Sequence, residues 1–302
     1  MGVRASVLTS AQWYTFLMKL LVTHHAPDID AITSIWMLKR FDPEHFADAK
    51  IEFVDAGKSM TADQAAEFDA TLADVTHVDT GEGKFDHHQK ETASQRSCAS
   101  SLVYEHVKDI NPALASDWPL QQIVEYSLAD DHFEDYFFPD ADSVRHLFAL
   151  RWIIKGAESS GLHDDDSQVQ FGFRMLDAIY ASLKDRHRAD KDIEKGIEFR
   201  SKWGKSIGLQ TSNSSAVRFA QLKGYTLVIQ KDPKRGGVNI KAAPIKEYDL
   251  TPLYEGIIQK DKVGGWYFHN GKRMIINNSS HADQKPTPLT LGQVIEIAKE
   301  CR

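Results

Sequence analysis

The sequence predicts an α/β protein with two domains: a doubly wound, mainly parallel sheet comes first, and a smaller α+β domain follows. Two observations predict the first domain. Short apolar runs alternate with segments of helical spacing, and polar residues follow the ends of those runs. A third observation predicts the second domain, because several short strand-like runs appear after residue 211. The chain has 302 residues, which is long enough for two cores.

The elements of the first domain follow from the periodicity of the apolar residues. Three short apolar runs bounded by turn residues are predicted to be strands: 18–24, 50–57 and 74–81. Helical spacing predicts helices between and after them: 30–41, 60–73, 98–110, 118–131 and 142–157. This alternation of strands and helices is typical of a parallel sheet.

A long helical pattern over 163–204 leads toward the second domain, and its charge density rises after Lys184. There the strand-like runs are 216–222, 225–230 and 237–243, followed by a helix over 251–261, a hairpin over 264–280 and a helix over 288–300. The boundaries that we expect are an N-terminal arm or overextended start (1–17), the α/β domain (18–185), a connecting helix or linker (186–208) and the smaller α+β domain (209–302).

Composition limits the partners of the chain. The formal net charge of -7 gives no global attraction to polyanions, so nucleic-acid binding would need a local basic groove. The cysteines Cys98 and Cys301 lack metal-binding spacing, which fits a reducing compartment. No apolar run is long enough to span a membrane. We therefore expect a cytoplasmic protein without a membrane partner, and a homodimer is left open.

Residues that bind metals or phosphates are concentrated after two of the predicted strands. His24, Asp28 and Asp30 follow the first strand, and Asp79 ends the third. Directly after Asp79 come three more residues of this kind: Asp86, His87 and His88. Because ligand sites form at the carboxyl edge of a parallel sheet, we expect all these side chains to meet.

This set offers more ligands than one metal with an open position needs, whereas two metals that share a carboxylate would use them all. Taken alone, Asp28 and Asp30 could be a turn residue and a helix cap. A contiguous Asp-His-His behind a strand-end aspartate is not explained in that way. The two clusters together therefore predict a metal site with two ions.

The same stretches resemble the motifs of the DHH phosphoesterase superfamily. "THHAPDIDAITS" (23–34) is similar to its first motif, "HVDT" (77–80) to its second, and "FDHHQ" (85–89) to the third, from which it takes its name. The superfamily includes RecJ-type exonucleases, nano-RNases, exopolyphosphatases, cyclic dinucleotide phosphodiesterases and class II pyrophosphatases. The short gap between Asp79 and Asp86 differs from the RecJ type and resembles a compact-motif branch.

The resemblance implies a role for each matching residue. His24 and Asp28 would bind one metal, and Asp30 and His87 the other, with Asp79 bridging them. His88 would contact the substrate phosphate or the leaving group, and Asp86 would orient the histidines. The fourth motif would add one more bridging aspartate, for which Asp131 fits best and Asp130 remains an alternative.

The second domain resembles the DHHA type, which carries a glycine-rich run ending in histidine that binds substrate. The corresponding residues here are Gly264, Gly265 and His269, although the run is short and "VGGWYFHNGK" (263–272) can also be a simple turn and strand. The run "KDPKRGG" (231–237) is the most basic loop, but it is better explained as a solvated turn.

Together, these residues predict a hydrolase in which two metals activate a shared hydroxide for attack on phosphorus. Mixed imidazole and carboxylate ligands favour Mn²⁺, with Mg²⁺, Co²⁺ or Zn²⁺ as alternatives. The preferred substrate is a short oligonucleotide cut from one end. The alternatives are a phosphatase or phosphodiesterase for small nucleotides, cyclic dinucleotides or pyrophosphate, and a non-catalytic sensor of metal or nucleotide.

Two further stretches are interpreted without a role in the site. The cluster Asp164–Asp166 is predicted to be the N-terminal charge of a helix. The run "HFEDYFFPD" (132–140) mixes aromatic and acidic residues, and we expect its aromatic side chains to be buried rather than to stack on bases.

Overall fold

The structure is a computed structural model, and it describes residues 18–89, 96–161, 164–277 and 285–301. It divides into two compact units between Tyr180 and Ala181. The predicted N-terminal arm (1–17) and part of the predicted hairpin (278–280) lie outside the described residues. None of the described helices is both long and apolar enough to cross a membrane.

The first unit contains three strands and most of the helices among the residues that are described. Its strands and helices are β1 (Leu20–His24), α1 (Ile29–Phe41), α2 (Pro43–Phe46), β2 (Lys50–Val54), α3 (Ala62–Ala66), β3 (Val75–His77), α4 (Ala99–Ile110), α5 (Trp118–Asp131), α6 (Leu150–Ser159) and the first part of α7 (Asp165–Glu194), which continues into the second unit. Short 3-10 helices cover Leu72–Asp74, Pro112–Ser116, Glu134–Phe137 and Val144–Phe148.

In the described part of this unit, the strands form one parallel sheet in the order β2-β1-β3. Leu20 pairs with Lys50 on one side and with Val75 on the other. β2 lies on one side of β1, and β3 lies on the other side. The direction in which successive strands are added therefore reverses between β1 and β3. In sheets of this kind the ligand crevice lies outside the carboxyl ends of the strands at such a reversal. The predicted α/β class is confirmed.

One face of this sheet is covered by the segment around α3. The apolar side chains that pack there are Leu20, Val22, Val54, Met60, Ala65 and Ala70. The helix predicted over 60–73 is wrong in extent, because α3 ends at Ala66 and Asp69 adopts a left-handed backbone with φ of 53°. That turn allows Ala70 to pack in the same cluster.

The second unit is built on a six-stranded sheet in the order β4-β5-β6-β7-β9-β8, counted over its described residues. Only β5 and β6 are parallel neighbours in this order. Its elements after α7 are β4 (Ile197–Ser201), β5 (Gly204–Gln210), α8 (Ser215–Leu222), β6 (Leu227–Lys231), β7 (Val238–Ala242), α9 (Thr251–Lys260), β8 (Tyr267–Phe268), β9 (Met274–Asn277) and α10 (Leu291–Glu300).

Two sequence predictions about the second unit are wrong. The helix predicted to reach residue 204 ends at Glu194, and β4 and β5 follow it as an antiparallel pair. Gly196 breaks the helical pattern there. The run 216–222 is helix α8 rather than a strand, because Ala216, Val217 and Ala220 form one buried helical face.

Candidate metal centre

The imidazole of His24 lies at the carboxyl end of β1. Its Nδ1 donates a hydrogen bond to the carbonyl oxygen of His25 at 2.8 Å, so Nε2 carries the lone pair when the ring is neutral. Nε2 lies 3.4 Å from Oδ2 of Asp79. The backbone hydrogen bond thus orients the ring with its metal-binding nitrogen toward that carboxylate.

Asp28, rather than the predicted Asp30, is the N-cap of α1, because the helix begins at Ile29. Its Oδ1 accepts hydrogen bonds from the backbone N–H groups of Asp30 and Ala31 at 2.9 and 3.1 Å. Asp28 is open to a cavity, yet the protein atoms around the carboxyl group limit its hydration. This desolvation, followed by the charges of Asp79 and Asp30, raises the pKa of Asp28 to about 6.

Asp30 is 1% exposed and connects three helices. Its Oδ2 accepts from the N–H of Ala99 at 2.6 Å, and its Oδ1 accepts from the N–H of Ser100 at 2.9 Å. The hydroxyl of Ser127 on α5 also donates to Oδ1, at 2.9 Å. Burial and then the charge of Asp79 raise the pKa of Asp30. A carboxylate on α1 therefore caps the first turn of α4, which the sequence analysis did not predict.

Asp79 lies just after β3 and has a left-handed backbone with φ of 56°. Its N–H donates to the carbonyl of Phe85 at 2.9 Å, which closes the loop between them. Gly81 makes this loop possible, because its φ is 75° and a Cβ there would lie 2.5 Å from the ring of His77. The side chain of Asp79 is thereby placed in the crevice between the ends of β1 and β3.

Asp86 holds the other end of this loop. Its Oδ2 accepts from the N–H of Glu82 at 2.7 Å. Its Oδ1 accepts from the backbone N–H of His88 at 3.0 Å and lies 2.8 Å from Nδ1 of the same residue. Asp86 is 4% exposed, whereas the side chain of His88 is 63% exposed. A buried carboxylate thus orients an imidazole that is open to solvent.

The ring of His87 lies beside that of His88, with the ring centres 4.0 Å apart, and it is more buried and faces the carboxylates. Its Nε2 lies 3.4 Å from Oδ1 of Asp79 and 3.7 Å from Oδ1 of Asp131. The two candidates for the fourth motif are therefore placed differently. Asp131 faces His87, whereas Oδ1 of Asp130 accepts a hydrogen bond from Arg151 at 3.1 Å.

The predicted ligands form groups whose donor atoms lie within 4.8 Å of one another. Three such groups occur in the described part of the chain: His24, Asp28 and Asp79; Asp30, His87 and Asp131; and Asp79, His87 and His88. The first two groups divide the ligands into two sets, and Asp79 lies close to both.

The chemistry of these groups fits divalent cations. Oδ1 of Asp79 is buried and, among the described residues, accepts no hydrogen bond. A buried carboxylate oxygen that has no donor and lies close to other carboxylates needs positive charge to offset their repulsion. Imidazole nitrogen and carboxylate oxygen are ligands for Mn²⁺, Zn²⁺ and related ions. The residues present therefore suit two such ions.

In the metal-free protein, protonated histidines supply that positive charge. Burial lowers the pKa of His24 and of His87, but the Asp79 carboxylate and other nearby groups reverse this effect, and the pKa of each rises to about 9. The other groups are the His25 carbonyl and Asp28 for His24, and Asp131 and Asp30 for His87. Burial would raise the pKa of Asp79, but the same two histidines lower it. Burial and the charge of Asp30 raise the pKa of Asp131 to about 6.

We expect the metal-free protein to lose stability as the pH rises from about 6.5 to about 9. The pKa of His24 and His87 is 6.5 without the fold and about 9 in it, so the fold favours their protonated forms. That stabilisation is complete below pH 6.5 and is lost as both rings deprotonate. Thermal denaturation in chelator, followed by circular dichroism, measures it. Asp79→Asn should make the melting temperature less dependent on pH between about 6.5 and 9. A melting temperature that rises across this pH range in the wild type would contradict the prediction.

The predicted substrate residues of the second unit lie at a loop and a hairpin. The N–H of Gly264 donates to Oδ1 of Asp261 at 2.8 Å, and the N–H of Gly265 donates to the carbonyl of Lys285 at 3.0 Å. His269 is exposed, and its Nδ1 accepts from the N–H of Gly271 at 3.0 Å. Both glycine amides are thus used within the unit, and a substrate role for these residues stays a prediction.

Two residues that support the loop after β1 were missed in the sequence. Asp165, at the start of α7, lies 2.6 Å from Nδ1 of His25 and accepts from the N–H of Ala26 at 2.8 Å. Gln168 donates to the carbonyl of Pro27 at 2.9 Å. The acidic run Asp164–Asp166 was the available signal, but its spacing does not reveal which residue it contacts.

A cavity of about 480 Å³ opens beside the candidate ligands. His24, Asp28 and Asp131 contribute to its wall. Part of the remaining wall comes from two aromatic residues, Phe133 and Trp152. A volume of this order suits a ligand the size of a nucleotide.

Comparisons with known proteins give little support for a family. A scan against models of protein families finds no match, and a search among curated proteins also finds none. Among solved structures, the chain is similar to RecJ from Thermus thermophilus, determined in complex with Mg²⁺. The match has 11% identity and a TM-score of 0.29, and it covers 92% of this chain but only 48% of that one. A likeness of this extent does not identify an activity, so membership of the DHH superfamily stays a prediction.

Proposed function

We propose that the protein is a metal-dependent phosphoesterase that hydrolyses phosphodiester bonds by a two-metal mechanism. The observation that supports this most directly is the division of the ligands into two sets around one carboxylate. Asp79 belongs to the set with His24 and Asp28, and it lies 3.4 Å from the imidazole of His87 in the other set. Paired sites that share a carboxylate are typical of enzymes that displace an oxygen from phosphorus.

When bound, two divalent cations would supply charge neutralisation at the phosphate and lower the pKa of a water molecule. His24, Asp28 and Asp79 would hold one of them, and Asp30, His87 and Asp131 the other. Mixed nitrogen and oxygen ligands favour Mn²⁺, because Mg²⁺ prefers oxygen ligands and retains its waters.

His88 and Asp86 would act on the substrate rather than on the ions. The exposed imidazole of His88 is fixed by its contact with Asp86 at 2.8 Å. In that position it can hydrogen-bond to the phosphate or give a proton to the departing oxygen. Asp86 would keep the Nδ1 side of the ring occupied, so that Nε2 is the nitrogen presented to the substrate.

A short oligonucleotide is the substrate that we propose. The cavity beside the ligands has the volume of about one nucleotide, and the acidic chain does not favour a long polyanion. Gly264, Gly265 and His269 of the second unit would contribute to substrate binding.

The purified protein with Mn²⁺ should cleave short RNA faster than cyclic dinucleotides, mononucleotides or pyrophosphate. Chelation should stop the reaction and added Mn²⁺ should restore it. Chromatography of the products measures the rate and shows whether cleavage proceeds from one end. Tight Mn²⁺ binding without turnover of any of these substrates would refute the proposal and favour a sensor.

A further inference from the structure

An unusual number of large apolar side chains are exposed between residues 133 and 153. The run over 132–140, in which we expected buried aromatic side chains, instead exposes 70% of Phe133 and 77% of both Tyr136 and Phe137. Further along the same segment, Phe148 is 82% exposed and Trp152 is 38% exposed. Exposed apolar surface of this kind usually marks a binding site.

Two of these aromatic residues, Phe133 and Trp152, line the cavity beside the candidate metal ligands. They share its wall with His24, Asp28 and Asp131. A phosphate held at those ligands would therefore have the adjoining part of its substrate beside the rings. The guanidinium carbon of Arg151 lies 5.0 Å from the centre of the Trp152 ring, which restrains that side chain.

The backbone at Phe133 gives a second reason to assign it a role. Phe133 follows Asp131 by two residues and has a left-handed conformation with φ of 54°. Bulky residues rarely adopt this conformation, and an exposed turn is ordinarily occupied by Gly, Asn or Asp. Neither burial nor backbone preference explains a phenylalanine here, whereas presentation of its ring to a ligand does.

The charges in the cavity wall indicate which part of the substrate it contacts. Arg151 lies 3.1 Å from Oδ1 of Asp130, and Lys155 lies 2.9 Å from Oε2 of Glu158. Because both cations are paired with acids, this wall adds little net positive charge for a second phosphate. It is suited to a flat, largely uncharged group, such as a nucleobase, that binds by stacking.

We propose that Phe133 and Trp152 form a nucleobase-binding subsite next to the metal centre and select substrates that carry a base on the sugar beside the phosphate. The selectivity builds on the proposed phosphoesterase function, but base binding can be measured without turnover. The subsite would favour nucleotides and oligonucleotides over pyrophosphate or polyphosphate, which have no group to stack.

The test compares the binding of AMP and ribose 5-phosphate to the full-length, Mn²⁺-loaded protein by isothermal titration calorimetry. The two ligands share a phosphate and a sugar and differ in the base. We expect AMP to bind at least about 10-fold more tightly, because stacking of a base on an aromatic side chain has an effect of this order. Phe133→Ala and Trp152→Ala should each reduce this ratio several-fold and leave the affinity for ribose 5-phosphate unchanged.

Two further variants separate stacking from folding and from general apolar surface. Trp152→Leu keeps apolar bulk without an aromatic face and should also lose the preference for AMP. Phe148→Ala removes a ring that is more exposed than those of Phe133 and Trp152 but does not line the cavity, so it should leave both affinities unchanged. Circular dichroism confirms that each variant is folded.

Several outcomes would overturn the subsite. The first is failure of the wild type to bind AMP, and the second is equal affinity for AMP and ribose 5-phosphate. The third is a ratio of these two affinities that the Phe133 and Trp152 substitutions do not alter. A concentration-dependent dimer that Phe133→Ala dissociates, without any preference for AMP, would identify the surface as an interface between copies. Absence of turnover with all phosphate substrates would instead refute the phosphoesterase function. The affinity for AMP relative to ribose 5-phosphate would still test the subsite in that case.

Discussion

Replacing Asp79 with asparagine should reduce kcat for phosphodiester hydrolysis by about 10³-fold or more, which corresponds to about 4 kcal/mol. Asp79 is the carboxylate that would lie between both ions, since it contacts His24 at 3.4 Å and His87 at 3.4 Å. The amide has nearly the same shape but no charge. Calorimetric titration with Mn²⁺ should show weaker binding at both sites, because each would lose a negative ligand.

The backbone at Asp79 makes this substitution a clean test. With φ of 56°, the position disfavours most residues, but asparagine tolerates it well. Asp69→Asn is the matched control, because Asp69 is an exposed aspartate with φ of 53° away from the site. It should keep wild-type activity. A fully active Asp79→Asn protein would contradict the assignment of the bridge.

Replacing His87 and His88 separately should give different results although the residues are adjacent. His87→Ala should abolish turnover and reduce Mn²⁺ binding, because this imidazole faces Asp79 and Asp131. His88→Ala should lower kcat by about 10²-fold while both Mn²⁺ ions still bind, because its role is toward the substrate. Rates under single-turnover conditions and calorimetric Mn²⁺ stoichiometry measure the two effects.

His45→Ala is the control for this pair. His45 is a half-exposed histidine that contacts Asp42 outside the site. Its replacement should therefore alter neither the single-turnover rate nor the number of Mn²⁺ ions bound. Retained full activity in His87→Ala would refute the metal centre. Loss of Mn²⁺ binding in His88→Ala would show that the third group, with Asp79, His87 and His88, is the one that binds an ion.

The sequence was most informative where local pattern and chemistry agree. The helix over 118–131 was predicted with its observed bounds, and the parallel order of the first sheet follows from strands that alternate with helices. The ligands after β1 and β3 were predicted to meet because strand ends share an edge, and the structure brings them together.

Contacts between distant segments could not be predicted in this way. Nothing in the local sequence of α4 indicates that Asp30 would accept its first two amide hydrogens. Nor does the local sequence indicate that Asp130 would accept a hydrogen bond from Arg151, which lies on a different helix. The exposure of Phe133 could not be predicted either, because an aromatic residue in a sequence ordinarily predicts burial.

Asp30 is both a proposed metal ligand and the acceptor for three donors of the fold, which has a consequence for the evolutionary history of such a chain. Loss of His24 or His87 would remove a proposed metal ligand and a positive charge beside Asp79, whereas loss of the Asp30 carboxylate would leave two buried amides and the Ser127 hydroxyl without an acceptor. If the proposed metal centre were lost in descendants of this chain, the histidines should therefore be replaced before Asp30. An aspartate at this position would persist in them because the first turn of α4 depends on it.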